Sequence, residues 1–328
     1  MIVITGGAGF IGSNIVAELS GGGRSGLVVC DWLGTGDKWR NIAGAEIEDV
    51  IAPEDLAAFL DARKGTIEAV IHMGAVSSTT ETDADLIVRS NIRLSNDLWD
   101  WCAAHGARFI YASSAATYGD GAQGFDDDAA PHALACLRPM NAYGWSKHVV
   151  DRRIARSLAR GDAAPPQWAG LKFFNVYGPN EYHKGGQKSV IAHIHPAARD
   201  GGPVRLFRSH RPDYEDGGQV RDFVYVKDCA RVVAWLLDTP SVSGLFNLGT
   251  GKARSFRDLA HAVFAALNRA PAIDYVDTPA EIRDKYQYFT QAKMDRLRAA
   301  GYTAPFTPLE EGVADYVRSY LEADNPYR

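Results

Sequence analysis

Short runs of consecutive apolar residues alternate along this chain with longer stretches whose apolar positions recur every three or four residues. The short runs Ile2–Ile4, Leu27–Cys30, Ala69–His72, Arg108–Ala112 and Leu171–Phe174 predict strands buried on both faces. The longer stretches Phe10–Leu19, Glu54–Asp61, Asp85–His105 and Asn141–Ala159 predict helices. Strands that alternate with helices imply an α/β protein built on a parallel sheet with helices on both faces. Residues 119–139 read as loop, with the acidic run Asp126–Asp128 in solvent.

The alternation breaks after Gly178. A polar loop leads to a helix at Ser189–Arg199, and Phe207–Gly218 is charged and turn-rich. The strand-like Phe223–Val226, a helix over Asp228–Leu237 and the run Gly244–Leu248 are expected to return to the first lobe. The rest predicts a helix from Phe256, a strand at Ile273–Val276 and a helix from Leu309. A larger lobe is therefore expected over residues 1–175 with returning segments at about 220–250. A smaller, mainly C-terminal α/β lobe takes residues 176–219 and 251–328. A length of 328 residues fits two lobes.

Charge and cysteines narrow the classes. A net charge of −5 gives no electrostatic basis for nucleic acid or an anionic membrane as partner. The four cysteines, Cys30, Cys102, Cys136 and Cys229, have no CxxC spacing, so reduced, buried thiols are expected and no metal site. The first strand is expected to begin at residue 2, so no leader is expected, and no apolar run reaches the roughly 18 residues of a membrane span. The expectation is a cytoplasmic protein.

The first chemistry lies between the first strand and the first helix. Gly6-Gly7-Ala8-Gly9-Phe10-Ile11-Gly12 contains the Gly-x-Gly-x-x-Gly spacing, with Gly6 offering a second register. Such a turn aims helix N-terminal amides at a pyrophosphate. Asp31, about 20 residues on and at the end of the second strand, stands where a carboxylate meets a ribose hydroxyl. Strand, glycine turn, helix and acid together predict a Rossmann-type, doubly wound dinucleotide-binding domain.

Tyr143 and Lys147 form the second constellation. Four residues apart on a helix, phenol and ammonium share one face. A tyrosine, with a free pKa of about 10, is a poor base until a cation favours the phenolate. Beside a hydride carrier the pair makes an acid/base, with Lys147 also in reach of the cofactor ribose. Ser113 and Ser114 follow the fourth apolar run, where ligands bind beyond the carboxyl ends of parallel strands. Ser114 is taken as the partner of the reacting oxygen, although a turn-satisfying role suits Ser113 equally.

These residues together resemble the extended short-chain dehydrogenase/reductase family, whose nucleotide-sugar epimerases and dehydratases work by transient oxidation. Longer strings sharpen the resemblance: Ala75–Glu81, Tyr111–Gly119, Phe174–Pro179, His183-Lys184-Gly185, Arg221–Val226 and Tyr286–Ala292. They look like the branch that inverts C6 of an ADP-heptose for the lipopolysaccharide core. The resemblance implies two acid/base groups, Tyr143 and Lys184, with Lys147 and Ser114 assisting. It implies a cofactor site of the glycine turn with Phe10 and Ile11, then Asp31, Trp32, Lys38, Met73, Gly74, Ala75, Val76, Ser77, Val176 and Lys184. It implies a substrate site with Asn175, Gly186, His193, Phe207, Arg208, Ser209, His210, Arg221 and Tyr286. A homo-oligomer, pentameric in the family, is also implied.

The chain departs from the family pattern at several points. Ser90-Asn91 stands where the pattern has an asparagine pair, so Asn91 is favoured and Ser90 stays open. Gly186 replaces a serine, Pro53 a lysine near the adenosine ribose, and Trp32 a smaller polar residue. Asp31 suits a ribose hydroxyl and Lys38 a 2′-phosphate, so NADP is the family expectation with NAD as the alternative. His210–Gln219 is longer than the family loop. A 4,6-dehydratase would need an acid/base pair where Ala115-Ala116 stands. A UDP-hexose 4-epimerase is the nearer rival, against which the strings around Lys184 and Tyr286 argue. A non-enzymatic NAD(P) sensor or scaffold would not need Tyr143 and Lys147.

Overall fold

The computed structural model describes residues 1–283 and 286–328. Its centre is a seven-stranded parallel sheet. In chain order the strands are β1 (Ile2–Thr5), β2 (Leu27–Cys30), β3 (Asp49–Ile51), β4 (Ala69–His72), β5 (Arg108–Ser114), β6 (Trp168–Phe173) and, later in the chain, Gly244–Leu248. Across the sheet the order runs β3, β2, β1, β4, β5, β6 and Gly244–Leu248. The order reverses between β1 and β4, so the loops after these two strands part and leave a crevice above their carboxyl ends.

Alternate residues of each strand enter opposite layers, which is why the apolar runs are unbroken. Ile2 and Ile4 face a layer holding α1 (Phe10–Gly21) and the returning helix Val226–Asp238. Val3, Val28, Val70 and Phe109 face the other layer. That layer holds α2 (Leu56–Ala62), α4 (Leu94–His105, preceded by α3 at Ala84–Ile87) and α6 (Ala142–Arg160, preceded by α5 at Pro131–Cys136).

Beyond β6 the chain builds three two-stranded sheets. β7 (Asn175–Tyr177) pairs with β10 (Phe223–Tyr225), β8 (Val204–Phe207) with β13 (Ile273–Val276), and β9 (Val220–Arg221) with β12 (Arg254–Ser255). Gly244–Leu248 is accordingly β11. Helices α7 (Val190–Arg199), α8 (Val226–Asp238), α9 (Phe256–Ala266) and, after the short segments α10 (Ala280–Arg283) and α11 (Asp295–Ala299), α12 (Leu309–Tyr316) complete the described α-helices. A second apolar core joins α7, α9 and α12.

Several expectations are corrected. The expected helix Asp85–His105 is interrupted by a π turn at Val88–Arg93, which turns Asn91 inward. β5 runs two residues further than expected, so Ser113 and Ser114 pair with Lys172 and Phe173 instead of following the strand. β3 and β8 lack an apolar run: β3 is an edge strand of three residues, and β8 alternates buried and exposed positions. α5 lies inside the expected 119–139 loop and starts on Pro131. Strand β10 pairs with β7 and not with the large sheet. Asp127 is buried, not solvated; its carboxylate accepts from the Asn247 amide at 2.7 Å, and burial pushes its pKa up to about 6. Cys136 is exposed while the other three thiols are buried. No helix among the described residues is long and apolar enough to cross a membrane.

One ion pair is wholly enclosed. Lys172 on β6 and Asp151 on α6 meet at 2.8 Å with both side chains 0% exposed. Tyr111 and Ser113 on β5 donate to the same carboxylate at 3.0 and 2.7 Å. Lys172 also donates to Thr117 Oγ1 at 2.7 Å, and Thr117 donates to the Ser114 carbonyl at 2.8 Å. The pair thereby ties α6 to β5 and β6 beneath the strand ends. Lys172→Met strands the Asp151 charge and should cost about 3–5 kcal/mol in denaturant unfolding. Lys172→Met combined with Asp151→Leu should recover only part of that loss, because the Tyr111 and Ser113 hydroxyls then lack their acceptor, and a double variant less stable than Lys172→Met alone would contradict this reading.

Candidate active site

The glycine turn depends on one close backbone approach. Gly6 sits at φ 64°, and a Cβ there would lie 2.6 Å from the Gly74 nitrogen. The turn after β1 and the loop after β4 can therefore touch only through glycine. The amide of Ala8 donates to Asp31 Oδ2 at 3.0 Å, so the carboxylate ending β2 steadies the same turn. Helix α1 starts on Gly9 with no side-chain cap and no acid in its first turn. Its first amides remain free for an anion.

These features line a cavity of about 1130 Å³. Gly6, Gly9, Phe10, Ile11 and Gly12 form its floor; Gly7 lies beneath, facing Ile4 and Val29. Asp31, Trp32 and Lys38 close one end, where Lys38 donates to Asp31 Oδ1 at 2.7 Å and to the Trp32 carbonyl at 2.8 Å. Trp32, 61% exposed, donates its indole N–H to Glu54 at 2.9 Å. Met73, Gly74, Ala75, Val76 and Ser77 form a second wall. Ser90 reaches the cavity, while Asn91 lies buried behind it. Asn91 exchanges two hydrogen bonds with the Val76 backbone, at 2.8 and 2.9 Å, and donates to Ser146 on α6 at 3.0 Å. Arg89 and Arg93 also line this wall, unforeseen because each reads as an ordinary solvated charge on a helix.

Helix α6 brings in Tyr143 and Lys147. Asn141 caps it by accepting from the Gly144 amide at 2.7 Å, which fixes where the first turn begins. Both side chains line the cavity with Ser114. Burial holds the Tyr143 phenol above its ordinary pKa, and the Ser114 hydroxyl pulls it back down. Burial lowers Lys147 to about 8, against the pull of Asp151 one turn further along. Tyr143 and Ser114 can thus share a proton with a reacting hydroxyl, and Lys147 can supply or release charge close to neutrality.

Lys184 enters from another element. The turn Tyr182–Gln187, after β7, carries it into the same cavity, with its ammonium 5.1 Å from the Phe10 ring centroid. Burial lowers its pKa, opposed by the Glu181 carboxylate. Asn175 and Val176 on β7 line the cavity beside it. The remaining predicted substrate residues lie off this wall. Gly186 and His193 meet each other, the imidazole Nε2 standing 3.2 Å from the Gly186 carbonyl. Phe207, His210 and Tyr286 pack edge to face, and the Arg221 guanidinium lies over Tyr286 at 5.5 Å and over Phe256, which lines the cavity, at 5.6 Å. Ser209 and the neighbouring Arg208 hold the long loop by bonds to Arg211 and ion pairs to Asp216 and Asp277. These residues form an aromatic and cationic extension next to the cavity.

The residues fit a dinucleotide: a glycine cradle that a Cβ would block, an uncapped helix N-terminus and an acid at the end of β2. Comparisons with known proteins agree. The chain is 50% identical over 330 residues to the ADP-L-glycero-D-manno-heptose-6-epimerase of Nitratidesulfovibrio vulgaris strain DP4, covering 100% of each. It is 44% identical over 335 residues, again 100% of each, to the enzyme of that name from Fusobacterium nucleatum. The crystal structure of the Helicobacter pylori enzyme of that name superimposes with a TM-score of 0.78 at 28% identity, over 97% of this chain and 95% of the other. Thermus thermophilus UDP-glucose 4-epimerase, solved with NAD, gives 0.76 at 28% identity over 98% and 99%. Residues 2–249 match the model of the NAD dependent epimerase/dehydratase family, and this chain belongs to that family.

Proposed function

We propose that the chain interconverts ADP-D-glycero-β-D-manno-heptose and ADP-L-glycero-β-D-manno-heptose by inversion at C6, as a cytoplasmic step toward the lipopolysaccharide core. The observation that carries this reading is the convergence of two candidate bases on one dinucleotide cavity, Tyr143 from α6 and Lys184 from the turn after β7. Inversion at a carbinol requires the ketone to turn over and be reduced on its other face, and two acid/base groups on opposite sides suit this better than one. Full-length identity of 50% to an enzyme named for this reaction supports the choice of carbon and nucleotide.

Gly6, Gly9 and the first amides of α1 would hold the cofactor pyrophosphate, Asp31 the adenosine ribose and Lys147 the nicotinamide ribose. The bound NAD(P) would supply reversible hydride transfer at C6, the oxidation and reduction that inversion of this carbinol requires. Tyr143 accepts the hydroxyl proton on one side with Ser114 holding the oxygen; burial keeps its phenol above the ordinary pKa, so the positive nicotinamide ring, with Lys147, would supply the charge that favours the phenolate. Lys184 works from its own side, giving a proton to the oxygen as the ketone is reduced and taking one up in the reverse direction, where its lowered pKa favours the neutral amine. Lys38 beside Asp31 offers a cation to a 2′-phosphate, which favours NADP; NAD is the second reading, because Lys38 is already paired and Pro53 is uncharged.

NMR of the protein incubated with ADP-D-glycero-β-D-manno-heptose should show the L-glycero epimer. Tyr143→Phe and Lys184→Met should each lower kcat roughly 10²- to 10⁴-fold. No conversion with both NADP and NAD supplied would overturn the assignment, and turnover of UDP-glucose in its place would favour the 4-epimerase. Mass analysis of nucleotide released from the holoenzyme should find NADP; NAD alone would reverse the cofactor reading.

The Lys147 shift also makes a stability prediction for nucleotide-free protein. Its folded pKa of about 8 lies below the ordinary lysine value, so between the two the unfolded state binds more protons and stability rises with pH. Below pH 8 the buried charge is a cost, at most about 3 kcal/mol by the size of the shift. Lys147→Met should therefore be more stable than wild type at pH 7, with the gap closing as pH rises through 8 and beyond. A gap independent of pH would contradict this.

A further inference from the structure

The turn that carries Lys184 has no buried residue of its own between Tyr182 and Gln187. Its aim comes largely from its ends. Asn180, buried and at φ 71°, is one of two described non-glycine residues in the left-handed region. Such a conformation persists where surrounding contacts over-determine it. Asn180 donates to Ser13 Oγ at 3.0 Å and to the Asn41 carbonyl at 3.2 Å, which fastens the turn to the cofactor lobe. Glu181, also buried, accepts from Ser189 Oγ at 2.6 Å and from the Tyr316 hydroxyl at 2.9 Å.

The Asn41 side-chain amide adds contacts to the Asn180 carbonyl and to His183 Nδ1, both at 3.2 Å, and the last residues of the sequence supply a further set. The Arg328 amide donates to Asn180 Oδ1 at 3.0 Å, and its guanidinium reaches the Asn14 carbonyl at 3.3 Å and the Glu18 carboxylate on α1. The Tyr182 hydroxyl donates to the Pro326 carbonyl at 2.7 Å. The Tyr182 ring meets Tyr327 edge to face, centroids 5.5 Å apart and planes at 90°. The tail therefore lies over the root of the turn and is clamped to the helix whose first residue, Phe10, stands beside the Lys184 ammonium.

We propose that Pro326–Arg328 is a latch that positions Lys184, with Tyr327 and Arg328 as positioning residues for the second proton transfer. The proposal rests on the reading of Lys184 as second base. Its contacts meet the turn at Asn180 and Tyr182, four and two residues from Lys184, and the Arg328 guanidinium fixes the tail to α1. Releasing the latch leaves both apolar cores intact and lets the amine wander from the reacting hydroxyl. Small misplacements of a catalytic group cost rate far more than they cost binding.

The test uses the full-length holoenzyme and four proteins: wild type, Tyr327→Ala with Arg328→Ala, Tyr327→Phe, and Lys184→Met. The double variant should lose about tenfold in kcat with KM for the sugar nucleotide and the thermal midpoint close to wild type. Tyr327→Phe keeps the ring against Tyr182 and should retain wild-type kcat. An unchanged kcat in the double variant, with Lys184→Met inactive, would overturn the latch and leave the base reading standing. Full turnover by Lys184→Met would overturn the base reading and the latch with it. A double variant that loses kcat and thermal midpoint together, or a Tyr327→Phe no better than it, would reduce the tail to a structural role and overturn the proposal.

Discussion

The site depends on one approach of backbone to backbone, where Gly6 meets Gly74 at the point at which the strand order reverses. A side chain at residue 6 would force β1 and β4 apart or push the turn into the crevice above them. With glycine there, the turn stays low, the first amides of α1 face the cavity, and Asp31 can reach the Ala8 amide across the top of β2. The cavity is thus a consequence of sheet topology, and its chemistry comes from what the later elements carry into it.

Two kinds of charge are kept apart in that cavity. Lys147 and Lys184 are held by burial below the ordinary lysine range, each restrained by one carboxylate, Asp151 and Glu181 respectively. Neither carboxylate is left free to quench its lysine. Asp151 is already paired with Lys172 and accepts from Tyr111 and Ser113, while Glu181 is occupied by Ser189 and Tyr316. Enclosed charges that are satisfied elsewhere act on the reacting groups by field alone, which tunes a proton affinity without blocking access to the group.

The cofactor half of this arrangement was legible in the sequence because it is local. The glycine spacing, Asp31 and the Tyr143–Lys147 interval are short patterns whose geometry follows from one strand, one turn or one helix. The unbroken apolar runs revealed the buried strands for the same reason. What could not be read was set by long-range packing. Nothing local turns Asn91 inward and leaves Ser90 at the wall; that comes from the π turn meeting Val76 and Ser146. Asp127 sits in an acidic run that reads as solvated, yet a strand more than a hundred residues later supplies the amide that buries it. The residues around Arg221 and Tyr286 gather next to the cavity only because two short strand pairs bring them there.

The two candidate bases also differ in how they are held, and the difference has a physical origin. Tyr143 lies in the first turn of a capped helix whose flank is fastened by Asn91 and the enclosed Asp151, so its position follows from regular structure. Lys184 comes from a turn that must leave the cavity open to a sugar nucleotide, and such a segment cannot be buried in a core of its own. Loops of this kind gain their precision from the scaffold around them. Here the scaffold includes both ends of the chain, with Ser13 and Asn14 from the first helix and Tyr327 and Arg328 from the last residues meeting at Asn180 and Tyr182. A rigid helix on one side and a borrowed anchorage on the other hold the two candidate bases around a space that a substrate can enter.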